Sequence, residues 1–138
     1  MPIFARNREM GVQSFVIKLL NNNCSELDAL VEGPRLDRRV NLTVVVLVVP
    51  EVDGEMRFDE AFTAVTKEFS ANGVGVVLSE ARRLEDVVLG FRWLGEMRFA
   101  RARLKHFQPM GGGFYRAGFK LTEMIHAVDH PQLQKMFV

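Results

Sequence analysis

Cysteine is nearly missing from this chain: Cys24 stands alone among 138 residues, which excludes an intramolecular disulfide and any thiolate metal cluster. Surplus charge is missing as well. Eighteen Lys and Arg against 17 Asp and Glu leave a net charge of +1, so no bulk attraction to nucleic acid or acidic lipid is expected and any basic site must be local. Long apolar runs are lacking too. The most apolar one, residues 42–49, falls far short of the roughly 20 residues that a spanning helix requires. Near the N-terminus, Arg6 and Arg8 precede a run over 12–20 that Gln13, Ser14 and Lys18 interrupt, a poor signal peptide. What remains, 48% apolar and 25% charged residues, is ordinary globular composition, and this length holds one core but not two. A soluble, cytoplasmic protein without membrane insertion is expected.

The apolar residues Met10, Val12, Phe15, Val16, Leu19 and Leu20 recur at three and four and predict a short amphipathic helix, ended by Asn21-Asn22-Asn23. A further turn or two is expected over 25–31 with Ser25 as cap, before Gly33-Pro34. Residues 40–50 are largely β-branched and apolar at both parities, which predicts a strand covered on both faces or one crossing a barrel. A turn at 51–56, a strand over 60–70, an Asn72-Gly73 hairpin and a strand over 74–78 follow. Strands are then expected over 87–94, 97–107 and 114–121, the last alternating Tyr115, Ala117, Phe119 and Leu121 with Arg116 and Lys120. Residues 108–113 read as a loop and 122–136 as a helix capped by Thr122 and interrupted by Pro131. Six closely spaced strands are antiparallel, and a small closed barrel hides their edges. The fold class is therefore mainly β: a six-stranded antiparallel barrel with short helices at both ends.

Arg35 and Arg39 lie directly ahead of the valine-rich run, with Arg38 able to replace Arg39. Arginine presents a planar fork of donors suited to phosphate and to guanine. Four residues of extended chain span about 13 Å, so the two arginines suit a curled loop or a ligand larger than one phosphate.

In this order of elements the chain resembles the PilZ domain, a bacterial six-stranded β-barrel that binds cyclic di-GMP. That family places R-x-x-x-R just before its first strand, where Arg35-Leu36-Asp37-Arg38-Arg39 stands here. Its second motif, D/N-x-S-x-x-G, lies between its second and third strands; Ser70-Ala71-Asn72-Gly73-Val74-Gly75 occupies that junction, with Ser70 for the Asp or Asn, Asn72 for the serine and Gly75 kept. Residues 111–119 look like the last barrel strand of such domains, and the resemblance covers about residues 33–125. It implies a division into an N-terminal helical extension (1–32), the barrel (33–125) and a helical tail (126–138). It also implies a non-catalytic cyclic di-GMP receptor of a bacterial second-messenger pathway, with Arg35, Arg38, Arg39, Ser70, Asn72 and Gly75 at the ligand, a downstream protein partner, and no cofactor or metal. Degenerate members can lose the nucleotide and keep the barrel as a protein-interaction module, which is the alternative reading. The helix over 10–20 packs on the barrel, pairs with another copy in a homodimer, or meets a partner.

Other constellations compete. Arg101, Arg103 and Lys105 share a strand parity near Phe99, Phe107 and Tyr115, a pattern suited to single-stranded nucleic acid or to a solvated barrel face. His126-Ala127-Val128-Asp129-His130 approximates a zinc motif, but Pro131 follows at once and a third ligand is not evident. Gly111-Gly112-Gly113 lacks the lysine of a P-loop, and no serine, histidine and carboxylate grouping stands out, so an enzyme is not expected.

Overall fold

The computed structural model describes residues 8, 10–16, 19, 39–93 and 95–135; the helical turn expected over 25–31 lies outside them. Helix α1 occupies 10–16. The strands are β1 (Val40–Asn41), β2 (Val45–Val52), β3 (Glu55–Met56), β4 (Phe62–Ser70), β5 (Gly73–Leu78), β6 (Asp86–Trp93), β7 (Glu96–Gly111) and β8 (Phe114–Ile125), followed by the short helix α2 (Pro131–Lys135). Six of them run in the order β4-β5-β8-β7-β6-β2, and pairing of β2 with β4 closes the ring. Every pairing is antiparallel. The expected six-stranded barrel is thus present, with β1 and β3 as two-residue additions on β4 and β2.

Thr66 divides the valine-rich run in two. Its hydroxyl donates to the Leu42 carbonyl at 2.7 Å and accepts from the Val44 amide at 2.9 Å, so a side chain replaces ladder bonds and a bulge follows before Glu68. At the far end of β2, Asp53 and Gly54 both take positive φ, +52° and +79°, and form a tight two-residue hairpin to β3. The next hairpin lies one residue earlier than Asn72-Gly73 suggests. Ala71 and Asn72 form the turn and Gly73 already pairs with Ser70, at a place where a Cβ would lie 3.0 Å from Ser70 Oγ and 3.2 Å from the Phe119 carbonyl. Near the C-terminus β8 continues to Ile125 instead of yielding to a helix at Thr122, since Leu121, Glu123, Met124 and Ile125 find ladder partners on β7 and the Thr122 hydroxyl donates to the Arg101 carbonyl. Helix α2 begins at Pro131, where a missing amide proton costs nothing.

Both parities of β2 are covered, as its composition requires. Val46 and Val48 point into the barrel with Phe69, Phe91 and Phe119, while Leu47 and Val49 pack outside with Val88, Phe99 and Leu133 of α2. Helix α1 joins the inner cluster through Val12, Phe15 and Val16, with Leu19 beyond it, and Phe15 meets Phe91 at 5.5 Å between ring centres. Phe91 is fully buried and also touches Phe69, so deleting its ring costs about 3–5 kcal/mol.

Candidate functional site

Alternation along the strands puts Glu68 and Ser70 of β4, Gly73 and Gly75 of β5, and Arg116, Gly118 and Lys120 of β8 on the outer face of the barrel. The ladder aligns them in two rows. Ser70, Gly73 and Lys120 form one; Glu68, Gly75, Gly118 and His106 form the other. Three glycines in the middle of these rows leave a trough where side chains would otherwise stand. The result is an open groove of about 280 Å³ lined also by Arg39, Asn72 and Lys105. Arg39 reaches it because Val40 pairs with Phe69, which sets the preceding residue beside Ser70. Lys105 is the extra residue of a bulge in β7, where the register shifts between Leu104 and His106.

One ion pair lies across the floor. Arg116 donates Nε and Nη2 to the same oxygen, Oε1, of Glu68, the former at 2.8 Å, and both side chains are largely buried. A Cβ on Gly75 would lie 2.7 Å from that carboxylate, so glycine is needed here for the carboxylate to lie flat. Glu68 Oε2 is buried and has no hydrogen-bond partner among the described residues. Four cationic side chains, those of Arg39, Lys105, Arg116 and Lys120, therefore face one carboxylate. That balance favours an anion.

Of the residues expected at the ligand, Arg39, Ser70, Asn72 and Gly75 line this groove together. Arg35 and Arg38 lie outside the described residues. Glu68, Gly73, Lys105, His106, Arg116 and Lys120 line it as well without having been singled out for it. A signal for the first two was available: the spacing D/N-x-S-x-x-G is met a second time from Glu68, with Ser70 and Gly73 in the serine and glycine places and glutamate in the acidic one. Lys105 and His106 enter through a bulge, which residue spacing does not disclose.

The basic face of β7 is divided up differently. Arg101 donates to both oxygens of Glu51 and to Glu123, and Arg103 donates to Asp86 at 3.1 Å, so only Lys105 of that trio turns to the groove. Burial alone would lower the Arg101 pKa; its hydrogen bonds and charge contacts to Glu51 and Glu123 outweigh this and raise it. Residues 127–129 form a 3-10 turn, so His126 and His130 do not share an α-helical face.

No protein-family model matches the chain, and no curated protein matches it. Among solved structures it is similar to the Bacillus subtilis inhibitor of motility MotI/DgrA, at 18% identity and a TM-score of 0.50 over 70% of this chain. It spans 46% of that protein's length. A second neighbour is the PilZ domain of CeSA from a cellulose synthesizing bacterium, at 26% identity over 67% of this chain and 86% of that one, with a TM-score of 0.47. The barrel is PilZ-like in fold. In such a barrel the groove described above lies over β4, β5 and β8, opposite the face of β2 and β6 that α2 covers.

Proposed function

We propose that this PilZ-like chain is a non-catalytic receptor for cyclic di-GMP, acting in the cytoplasm of a bacterium and passing the signal to a protein partner. The observation that carries this reading is convergence: Arg39 and the 70–75 hairpin, far apart in sequence, line one groove in which cations outnumber carboxylates. Cyclic di-GMP offers two phosphates for arginine and lysine and two guanines, whose O6 and N7 accept from an arginine fork. Ser70, Asn72 and the glycine floor supply short polar contacts and close backbone approach. Arg35 and Arg38, on the segment leading into Arg39, complete the ligand set in this reading. The test is calorimetric titration of the intact protein with cyclic di-GMP, with GTP as control. Saturable binding that Arg39→Ala and Arg35→Ala each weaken by about tenfold or more supports it; silence in the folded protein rejects it.

One observation favours a second reading, an interaction module that binds no nucleotide. The β7–β8 hairpin turns at three glycines of positive φ and exposes Phe107, Met110 and Phe114, with Phe107 stacked on Tyr115 at 5.4 Å. Exposed aromatics on a hairpin are suited to a protein partner. Recovery of one defined partner that Phe114→Ala and Phe107→Ala release, with no nucleotide bound by the intact chain, would select this reading.

A further inference from the structure

We infer that Arg116 is an oxyanion-binding residue of the groove and that Glu68 is the residue that positions it, a step that rests on the receptor reading above. The local geometry leads there. Glu68 receives both of its hydrogen bonds from Arg116 on a single oxygen, Oε1. A guanidinium carries five N–H donors, so this one-sided pairing fixes one edge of the plane and leaves the Nη1 end uncommitted. Nη1 has no partner among the described residues and lies 3.6 Å from where a Cβ of Gly118 would stand, over the glycine floor.

A second, independent observation concerns the acceptor. Glu68 is 6% exposed, and its Oε2 is buried without a donor. A closed structural pair would use both carboxylate oxygens, as Glu51 does with Arg101. Here both members of the pair keep unused capacity inside a groove that already holds Arg39, Lys105 and Lys120. A planar fork held at one edge, with its other end facing a trough of excess positive charge, is suited to two oxygens of one phosphate. Lysine at this position has the charge but not the fork. The pre-set orientation also lowers the entropy lost on binding, because the arginine is already ordered.

The experiment titrates the full chain with cyclic di-GMP and, separately, with inorganic pyrophosphate, in the wild type and three variants. Arg116→Gln combined with Glu68→Gln removes both charges, so that no carboxylate is left buried alone; Arg116→Lys keeps the charge and loses the fork; Glu68→Gln alone separates positioning from repulsion. With cooperative melting retained, the double variant and Arg116→Lys are expected to bind about tenfold or more weakly. Glu68→Gln is expected to bind more weakly as well, whereas a carboxylate that merely repels the anion would make that variant bind more tightly and overturn its positioning role. Wild-type affinity in the double variant overturns the inference and leaves the receptor reading standing. A wild type that ignores cyclic di-GMP but takes pyrophosphate, with the latter lost in the double variant, does the reverse. A wild type silent to both rejects both.

Discussion

Two arginines of this barrel sit in similar surroundings and end in opposite balance. Arg101 lies between Glu51 and Glu123, two carboxylates that tie β7 to β2 and β8. Among the described residues, Arg116 meets a single carboxylate, and its other charged neighbours in the groove are cations. The first cluster is saturated: Arg101 gives three hydrogen bonds and Glu51 uses both oxygens. The second is not, since Glu68 Oε2 has no partner among the described residues. A saturated pair clamps strands together, while an unsaturated one beside surplus positive charge keeps hydrogen-bonding capacity of its own. The clamp and the groove are thus built from the same residue types, distinguished by how many acceptors each arginine finds.

Arg116→Ala breaks the comparison most severely. It leaves the buried Glu68 carboxylate without compensation, at about 3 kcal/mol of stability, read in urea denaturation. Arg101→Ala comes next, at about 2 kcal/mol, because Glu51 is buried but Arg101 itself is one-third exposed; affinity for cyclic di-GMP is expected to stay at the wild-type value, and a loss there would mean that the two clusters are coupled. The Arg101 clamp should also be insensitive to mild alkali. Its folded pKa is raised above the ordinary arginine value, so its stabilisation is present at every pH below that value and fades only as pH climbs through the folded pKa. Equal urea-denaturation costs of Arg101→Ala at pH 7 and pH 9 would bear that out.

Gly75→Ala is the intermediate case. A methyl 2.7 Å from the Glu68 carboxylate must displace the ion pair, at about 1.5 kcal/mol together with loss of ligand binding. Gly118→Ala has the smallest effect on stability, within about 0.5 kcal/mol, since its nearest contacts at 3.6 Å are ordinary. It nonetheless puts a methyl on the groove floor. Unchanged melting with about tenfold weaker binding of cyclic di-GMP would separate the floor's role at the ligand from any role in folding, and unchanged binding would remove that floor from the ligand's footprint.

Much of the barrel was legible in residue order. The double-parity valines of β2, the Asp53-Gly54 turn and the alternation along β8 each carry their structure locally, through side-chain periodicity and turn chemistry. Less legible was where each element stops. Residues 123–125 have helical company in the sequence but ladder partners in space, and β7 extends to Gly111 through residues that read as loop. Thr66 cuts a continuous apolar run because its hydroxyl finds two backbone groups across the sheet. Part of the groove was legible as well. Arg39, Ser70, Asn72 and Gly75 could be named from motif spacing, and Glu68 from the same spacing read two residues earlier, whereas no spacing singles out Arg116, whose partner Glu68 lies 48 residues away.

The amino-acid order alone determined that this chain has no intramolecular disulfide, no surplus of charge and a set of closely spaced antiparallel strands, because composition, periodicity and turn residues are local properties. Tertiary structure alone decided which charges meet. Closure of the sheet brought three glycines from two strands into one trough and set four cations around one carboxylate there. Among the described residues, it also placed two acids on Arg101 and one on Arg116. Ladder register and a bulge control those encounters, and both are settled only when distant strands pair.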